Sequence, residues 1–137
     1  MATTKPLIAV VDDDRSVIKS LARMLRMAGY AVETFGSARE FLASLPAFVP
    51  QCLVLDVHMP EMSGIELQNR LAAQEPCLPV IFMTAHDTPQ TRESIHRAGG
   101  FGLFLKPFAN EALLQAVREA IGSEPMAPNH EDQRPAA

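Results

Sequence analysis

The sequence lacks tryptophan, has a single tyrosine and contains only two cysteines, Cys52 and Cys77. These cysteines form neither a pair motif nor a metal-binding spacing, which excludes a disulfide scaffold and argues against a metal site built from thiols. No apolar stretch is long enough to span a membrane, and the first apolar run is too short, and too soon followed by charge, for a signal peptide. We therefore expect a reduced, cytoplasmic protein that does not bind membranes.

Positive charge is scarce as well. The chain has 12 Lys and Arg residues against 16 Asp and Glu residues, with a net charge of −4 and a pI near 5.5. This balance argues against a nucleic-acid surface and suits a cation or a basic partner instead. We find neither a helix-turn-helix pattern nor a basic stripe, so we expect that this chain alone binds no nucleic acid.

The length and composition fit one globular domain with one core, because 47 % of the 137 residues are hydrophobic. Short apolar runs alternate along the chain with segments of helical period. This alternation predicts a parallel sheet with helices on both faces. The predicted strands are 7–11, 30–35, 52–56, 79–84 and the segment LFLKPF, which Pro107 ends.

Several helix boundaries are marked by capping residues. Two capping boxes are present, Ser37 with Glu40 and Ser63 with Glu66. Asn110 is predicted to cap the last helix, which Gly122 can end. From there the sequence SEPMAPNHEDQRPAA is rich in proline and polar residues and has no period. We therefore expect a folded domain over 1–122 and a flexible tail or linker over 123–137.

Polar side chains stand at the carboxyl ends of four predicted strands, where sheets of this kind bind ligands. They are Asp12, Asp13, Asp56, Thr84 and Lys106. Three carboxylates suit a hard divalent cation such as Mg²⁺, and an ammonium and a hydroxyl can bind phosphoryl oxygens. A carboxylate can also be a nucleophile that forms an aspartyl-phosphate, and Asp56 is the best candidate. Asp14 is a candidate cap of the first helix.

Four segments follow one another at these strand ends: VVDDD, LVLDVHMPEMSGIEL, PVIFMTAHD and LFLKPF. Together they resemble the receiver (CheY-like) domain of two-component response regulators, over about residues 5–122, and within it the FixJ-type branch. The resemblance implies an α/β, flavodoxin-like (βα)5 fold. Its sheet would be doubly wound, with five parallel strands in the order 2-1-3-4-5.

The resemblance also implies a phosphoacceptor role. Asp56 would take a phosphoryl group from a sensor histidine kinase or a phosphotransfer protein. The domain would catalyse this transfer and its own slow dephosphorylation, without being a metabolic enzyme. Thr84 and Lys106 would contact the phosphoryl group, and the Lys106–Pro107 peptide bond would be cis.

A magnesium site is part of the same resemblance. Asp13 and Asp56 would bind Mg²⁺ through their carboxylates, and Asp12 would hold it through water. The backbone carbonyl of His58 would be a further ligand, and Mn²⁺ can replace Mg²⁺.

The sequence departs from the family at a few positions. Leu103 stands where the family usually has the Tyr or Phe of an aromatic switch. The segment AGGFG is unusually rich in glycine, and we hypothesise that it stays mobile until phosphorylation or a partner fixes it. His58 and His86 lie two residues after Asp56 and Thr84. Either these histidines are solvated loop residues or they tune hydrolysis of the phosphoryl group.

The sequence does not decide which molecule the receiver domain would control. We expect a stand-alone receiver that acts on a protein partner through its last two helices and last strand. The alternative is the N-terminal receiver of a LuxR-type transcription regulator whose DNA-binding domain is absent from this chain. FixJ-type receivers tend to dimerise when phosphorylated, so a phosphorylation-dependent homodimer is a further expectation.

Two functions of another class are weaker. A magnesium-dependent aspartyl phosphatase commonly has a second Asp two residues after the nucleophile, but here that position is His58. A flavodoxin-like flavin protein would place phosphate at the first loop, where the three carboxylates of residues 12–14 would repel it.

Overall fold

The computed structural model describes residues 5–45, 47, 49–74 and 77–122, and five strands alternate with five helices in this part of the chain. The elements are β1 (Leu7–Val11), α1 (Arg15–Met27), β2 (Ala31–Phe35), α2 (Ala38–Ser44), β3 (Cys52–Asp56), α3 (Gly64–Gln74), β4 (Val80–Thr84), α4 (Pro89–Ala98), β5 (Gly102–Leu105) and α5 (Asn110–Gly122). The predicted tail, 123–137, lies outside the described residues. None of the described helices is long and apolar enough to cross a membrane.

All pairings in the five-stranded sheet are parallel, and the strand order is β2-β1-β3-β4-β5. Ile8 of β1 lies opposite Val32 of β2 on one side and Cys52 of β3 on the other. The predicted fold class and strand order are therefore confirmed. Since all five strands run the same way, their carboxyl ends meet at one edge of the sheet.

Apolar side chains cover both faces of the sheet. Helices α1 and α5 pack on one face, where Leu25 and Leu113 are fully buried. Helices α2, α3 and α4 pack on the other face, around Phe41, Leu67 and Phe82. Each such side chain contributes roughly 1.5–3 kcal/mol through its removal from water. The two cores fix β3 and β4 between them, and every residue of these two strands is buried.

Most of the predicted caps are confirmed. The Asp14 carboxylate accepts a hydrogen bond from the Ser16 N–H at 2.9 Å and caps α1. The capping box of Ser63 and Glu66 forms in full, with hydrogen bonds of 2.9 and 3.1 Å. Ser37 accepts from the Glu40 N–H at 3.1 Å, but the Glu40 carboxylate accepts from the N–H of Gly36, one residue before the cap. The predicted cap at Asn110 is wrong. Helix α5 already begins at Asn110, because the carbonyl of the preceding Ala109 accepts the first hydrogen bonds of the helix.

The boundaries of three strands also differ from the prediction, and β2 begins at Ala31, one residue later than predicted. Strand β4 begins at Val80, one residue later than predicted. Strand β5 is Gly102–Leu105, so Lys106 follows the strand and lies outside it. The Lys106–Pro107 peptide bond is cis, as the family resemblance implied.

The glycines of AGGFG have structural explanations. Gly99 ends α4 with φ = +84°, a left-handed conformation that favours glycine. A Cβ at Gly100 would lie 2.7 Å from side-chain atoms of both Ile95 and Phe82. A turn and a close packing contact thus require glycine at these two positions, while the hypothesis that the segment is mobile stays a prediction.

Gly64, the first residue of α3, lies against the backbone of the strand that ends at Asp56. A Cβ on Gly64 would overlap the Asp56 carbonyl oxygen and would lie 3.0 Å from its carbonyl carbon. The Gly64 N–H donates a hydrogen bond to the Val57 carbonyl at 2.9 Å. Only glycine allows this approach, which fixes the start of α3 against the end of β3.

We therefore expect Gly64→Ala to lower the free energy of unfolding by about 1–3 kcal/mol, because the added methyl group cannot fit without a backbone shift. Urea denaturation followed by circular dichroism measures the change. Gly122→Ala is the matched control, since a Cβ there meets no atom within 4 Å. Equal stabilities of the two variants would contradict the role of this contact.

Candidate functional site

The predicted site residues meet at the carboxyl edge of the sheet. Asp12 and Asp13 follow β1, Asp56 ends β3, Thr84 ends β4 and Lys106 follows β5. Carboxylate oxygens of the three aspartates all lie within 4.8 Å of one another. The sequence-based expectation that these carboxylates converge is confirmed.

Lys106 joins two of these carboxylates. Its Nζ lies 2.9 Å from Oδ2 of Asp12 and 3.0 Å from Oδ1 of Asp56. Asp12 is fully buried and Asp56 is 5 % exposed, whereas Asp13 is exposed. The other Asp12 oxygen accepts a hydrogen bond from the Asp14 N–H at 2.9 Å. The site therefore consists of buried ion pairs of Lys106 with Asp12 and Asp56, and it is open to solvent at Asp13.

The charges of the site shift the pKa values of two of its groups. Burial raises the pKa of the Asp56 carboxyl; the hydrogen bond from Lys106 opposes this rise, and the charge of Asp12 adds to it. Burial lowers the pKa of the Lys106 ammonium, but its hydrogen bonds with Asp12 and Asp56 outweigh that effect, so the net shift is upward. A raised carboxyl pKa means that ionised Asp56 costs stability in the folded state. A bound cation would reduce that cost.

The Thr84 hydroxyl is engaged within its own loop. It donates a hydrogen bond to the His86 carbonyl at 3.1 Å and accepts one from the His86 N–H at 3.0 Å. Thr84 is fully buried. If this hydroxyl is to donate to a group on Asp56, it must first give up the hydrogen bond that it donates to the His86 carbonyl.

The side chains of His58 and His86 lie next to each other. Their ring centroids are 6.1 Å apart, with an angle of 66° between the ring planes. Both residues are exposed, one in the loop after β3 and the other in the loop after β4. Their equal spacing from Asp56 and Thr84 is the sequence signal for this pair, although sequence reasoning did not predict that the rings meet. The role of the His58 carbonyl as a metal ligand stays a prediction.

The aromatic residues near Lys106 do not take the place of the family's usual switch residue. Leu103 packs on the sheet face that carries Ile95 of α4. Phe104 packs on the opposite face, with its ring centroid 5.9 Å from that of Phe108. An aromatic switch at residue 103 is therefore replaced by an aliphatic contact.

The acidic pocket of Asp12, Asp13 and Asp56 is compatible with a divalent cation. Its donor set consists of carboxylate oxygens, the ligands that hard ions such as Mg²⁺ prefer. The exposed side at Asp13 leaves room for water, which Mg²⁺ commonly keeps as a ligand. The chemistry of the residues present thus fits such an ion.

Comparison with known proteins gives consistent matches. Residues 8–118 match the family model described as the response regulator receiver domain. The chain is 38 % identical over 136 residues to the response regulator protein TmoT of Ectopseudomonas mendocina, covering 98 % of this chain and 60 % of that protein. It is 39 % identical to the transcriptional regulatory protein FixJ of Bradyrhizobium diazoefficiens, covering 91 % of this chain and 62 % of that protein.

A solved structure of FixJ-N superposes with a TM-score of 0.81 at 34 % identity, covering 89 % of this chain and 98 % of that one. The chain thus spans 60 % and 62 % of the length of the two curated relatives named above, but almost the full length of this solved structure.

The acidic cluster predicts that Mg²⁺ raises the melting temperature. An ion present at 100 times its dissociation constant adds about 2.7 kcal/mol to the free energy of unfolding. Asp13→Asn should remove most of this gain, as measured by thermal denaturation across a Mg²⁺ titration. Asp14→Asn is the matched control, because it removes the same charge one residue away and asparagine caps helices equally well. An equal loss in both variants would indicate a general charge effect in place of a site.

Proposed function

The chain belongs to the response regulator receiver family of two-component signalling systems, and on this basis we propose that Asp56 is its phosphoacceptor. The observation that carries the proposal is the shared ion pair at the sheet edge. Lys106 Nζ lies 3.0 Å from Asp56 and 2.9 Å from Asp12, while Asp13 adds a third carboxylate within 4.8 Å. A nucleophilic carboxylate thus lies next to a fixed positive charge and a group of hard oxygen donors.

In the proposed reaction, an Asp56 carboxylate oxygen attacks the phosphorus of a phosphohistidine on the donor protein. The new O–P bond forms as the N–P bond breaks, and the electron pair of that bond leaves with the donor's imidazole nitrogen. The Lys106 ammonium, which already contacts Asp56, can then donate a hydrogen bond to a phosphoryl oxygen. Asp56 thereby becomes an aspartyl-phosphate.

Mg²⁺, or Mn²⁺ in its place, would be held by Asp12, Asp13, Asp56 and the His58 carbonyl, and would neutralise charge on the phosphoryl oxygens. The buried Asp12 carboxylate also fixes the position of Lys106 through their ion pair. The exposed Asp13 carboxylate lies on the open side of the pocket, the side from which a donor can approach. Asp12 thus positions Lys106, whereas Asp13 lies where the donor would approach.

Thr84 is proposed to couple the new phosphoryl group to the rest of the domain. Its hydroxyl would leave the His86 backbone and donate to a phosphoryl oxygen, which opens the turn over residues 84–86. The resting and phosphorylated arrangements are then two states of one loop, and phosphorylation shifts the balance between them.

The output surface is proposed to be the one formed by α4, β5 and α5. Strand β5 lies at the edge of the sheet. Phe101, just before β5, and Leu105, its last residue, are 41 % and 48 % exposed there and form apolar contact area on this surface. A protein partner, or a second copy of the chain after phosphorylation, could cover them.

We retain two possibilities for what the receiver controls. The first is a stand-alone receiver that acts on such a protein partner. The second is a receiver that controls an attached LuxR-type DNA-binding domain, and the similarity to the transcriptional regulatory protein FixJ favours it. In both cases the described part of the chain is the input module.

Helix α1 is the proposed docking surface for the phosphodonor. Arg15, Lys19, Arg23 and Arg26 are exposed and fall on one side of the helix, within an arc of roughly 80°. The helix contains no acidic residue. The sequence-based expectation of no basic stripe was wrong at this point, because the net charge of −4 conceals a local excess of cations. The stripe begins directly after the acidic pocket, so an acidic donor surface docked on it would lie beside Asp56.

We expect acetyl phosphate with Mg²⁺ to add one phosphoryl group to the wild-type chain, because Asp56 can attack a small phosphodonor unaided. Intact-protein mass spectrometry measures the adduct. Asp56→Asn should abolish it, whereas Asp14→Asn should keep it. A surviving adduct in Asp56→Asn would disprove the assignment of the acceptor. Multiple turnovers of p-nitrophenyl phosphate would instead support the phosphatase alternative.

The basic stripe predicts a selective defect when its charge is reversed. Lys19→Glu combined with Arg23→Glu should slow transfer from a histidine-phosphorylated sensor kinase at low salt by about tenfold or more, because electrostatic steering is lost. Labelling by acetyl phosphate, which needs no docking, should not change. Arg70→Glu, in α3 on the other face of the sheet, is the matched control. Equal slowing by the control would contradict docking on α1.

A further inference from the structure

The side chains of His58 and His86 form a pair that the phosphoacceptor chemistry does not use. His58 and His86 come from separate loops, and their ring centroids are 6.1 Å apart. Among the described residues, neither imidazole has a hydrogen-bond partner. Their nitrogen atoms are therefore available to a ligand from solvent.

The ring separation fits a shared metal ion. Zn²⁺ binds imidazole nitrogen at about 2.0–2.1 Å, and each nitrogen lies about 1.1 Å from its ring centre, so two rings on one ion have centres about 5–6 Å apart. The observed 6.1 Å is slightly longer than this range. Because both side chains are exposed, small rotations about their side-chain bonds can close the remaining gap.

We propose that His58 and His86 bind one borderline transition-metal ion of the Zn²⁺ class. Imidazole nitrogen favours Zn²⁺, Cu²⁺ and Ni²⁺, whereas the carboxylates of the acidic pocket favour Mg²⁺. The two sites thus differ in ligand chemistry. Asp87, the carboxylate next to His86, is already paired with Arg92 through hydrogen bonds of 2.6 and 2.7 Å. Water would fill the other coordination positions, so the affinity is below that of a structural zinc site.

The proposed ion would regulate the loop that holds Thr84. The His86 backbone receives and donates the hydrogen bonds that keep the Thr84 hydroxyl in its resting position. An ion that ties His86 to His58 would stabilise this arrangement and oppose its opening. This regulatory consequence rests on the proposed function, whereas the binding of the metal does not.

Calorimetric titration of the full chain with Zn²⁺ tests the site. Mg²⁺ is kept in large excess so that the carboxylates are occupied, and Cys77→Ser is present throughout, because that exposed thiol could also bind Zn²⁺. We expect one ion per chain, at least tenfold weaker binding in His58→Gln and in His86→Gln, and no specific binding in the double variant. His96→Gln, an exposed histidine in α4, is the matched control and should bind as before.

Unchanged binding in the double variant, or an equal loss in His96→Gln, would overturn the site. Shifts of the imidazole C–H resonances of His58 and His86 in the NMR spectrum on Zn²⁺ addition give a second, independent measurement. Because both residues are exposed, the variants should melt at the wild-type temperature, and circular dichroism checks this.

Acetyl phosphate labelling with and without Zn²⁺ tests the regulatory consequence. Zn²⁺ should slow labelling severalfold in the wild type and leave the double variant unaffected. Equal rates in the wild type, with Zn²⁺ bound, would overturn the regulation while the site stands. Absence of labelling under all conditions would instead disprove the proposed function, and the calorimetric test would be untouched.

Discussion

The shared ion pair between Lys106, Asp12 and Asp56 is the interaction on which the rest of the site depends. One ammonium lies between two buried carboxylates from neighbouring strands, and Asp13 adds a third negative charge nearby. The local balance is therefore negative, which is costly where water is largely excluded. The fold tolerates this because its apolar cores, one on each sheet face, stabilise the strands that end there. The same excess of negative charge makes the acidic pocket compatible with a divalent cation.

The loops after β3 and β4 lie next to these charges. The loop after β3 and the loop after β4 each hold an exposed histidine, and the second loop also contains the closed turn of Thr84. A charge added at Asp56 acts on both loops at once, since both begin at the strand ends that form the pocket. Helix α1 extends from the opposite side of the pocket with its cations outward. The site thus combines an acidic centre, the basic residues of α1 beside it, and two loops with exposed histidines.

The fold and the acidic cluster could be predicted from sequence because they depend on local rules. Apolar runs of strand length and capping boxes led to the alternation of strands and helices, and the shared edge of parallel strands led to the convergence of Asp12, Asp13 and Asp56. The strand order came from the family resemblance. The basic face of α1 was missed because net charge averages over the chain, and it appears only when residues four apart are placed on a helix. The meeting of His58 and His86 depends on loop conformation and side-chain rotation, which no period in the sequence encodes. Asn110 was misplaced because asparagine is an equally good signal one position earlier or later.

The close contact at Gly64 has a mechanical consequence. The backbone of Asp56 has no free space on the side of α3, because a single added methyl group would already overlap its carbonyl. On the side of β4, by contrast, the neighbouring loop is held by the two hydrogen bonds of one hydroxyl. A group added at Asp56 would therefore meet close backbone packing on the α3 side, and on the β4 side a loop held by the hydrogen bonds of Thr84. If Asp56 is phosphorylated as proposed, we expect the loop after β4 to move more than α3, because the packing at Gly64 leaves no space on the α3 side.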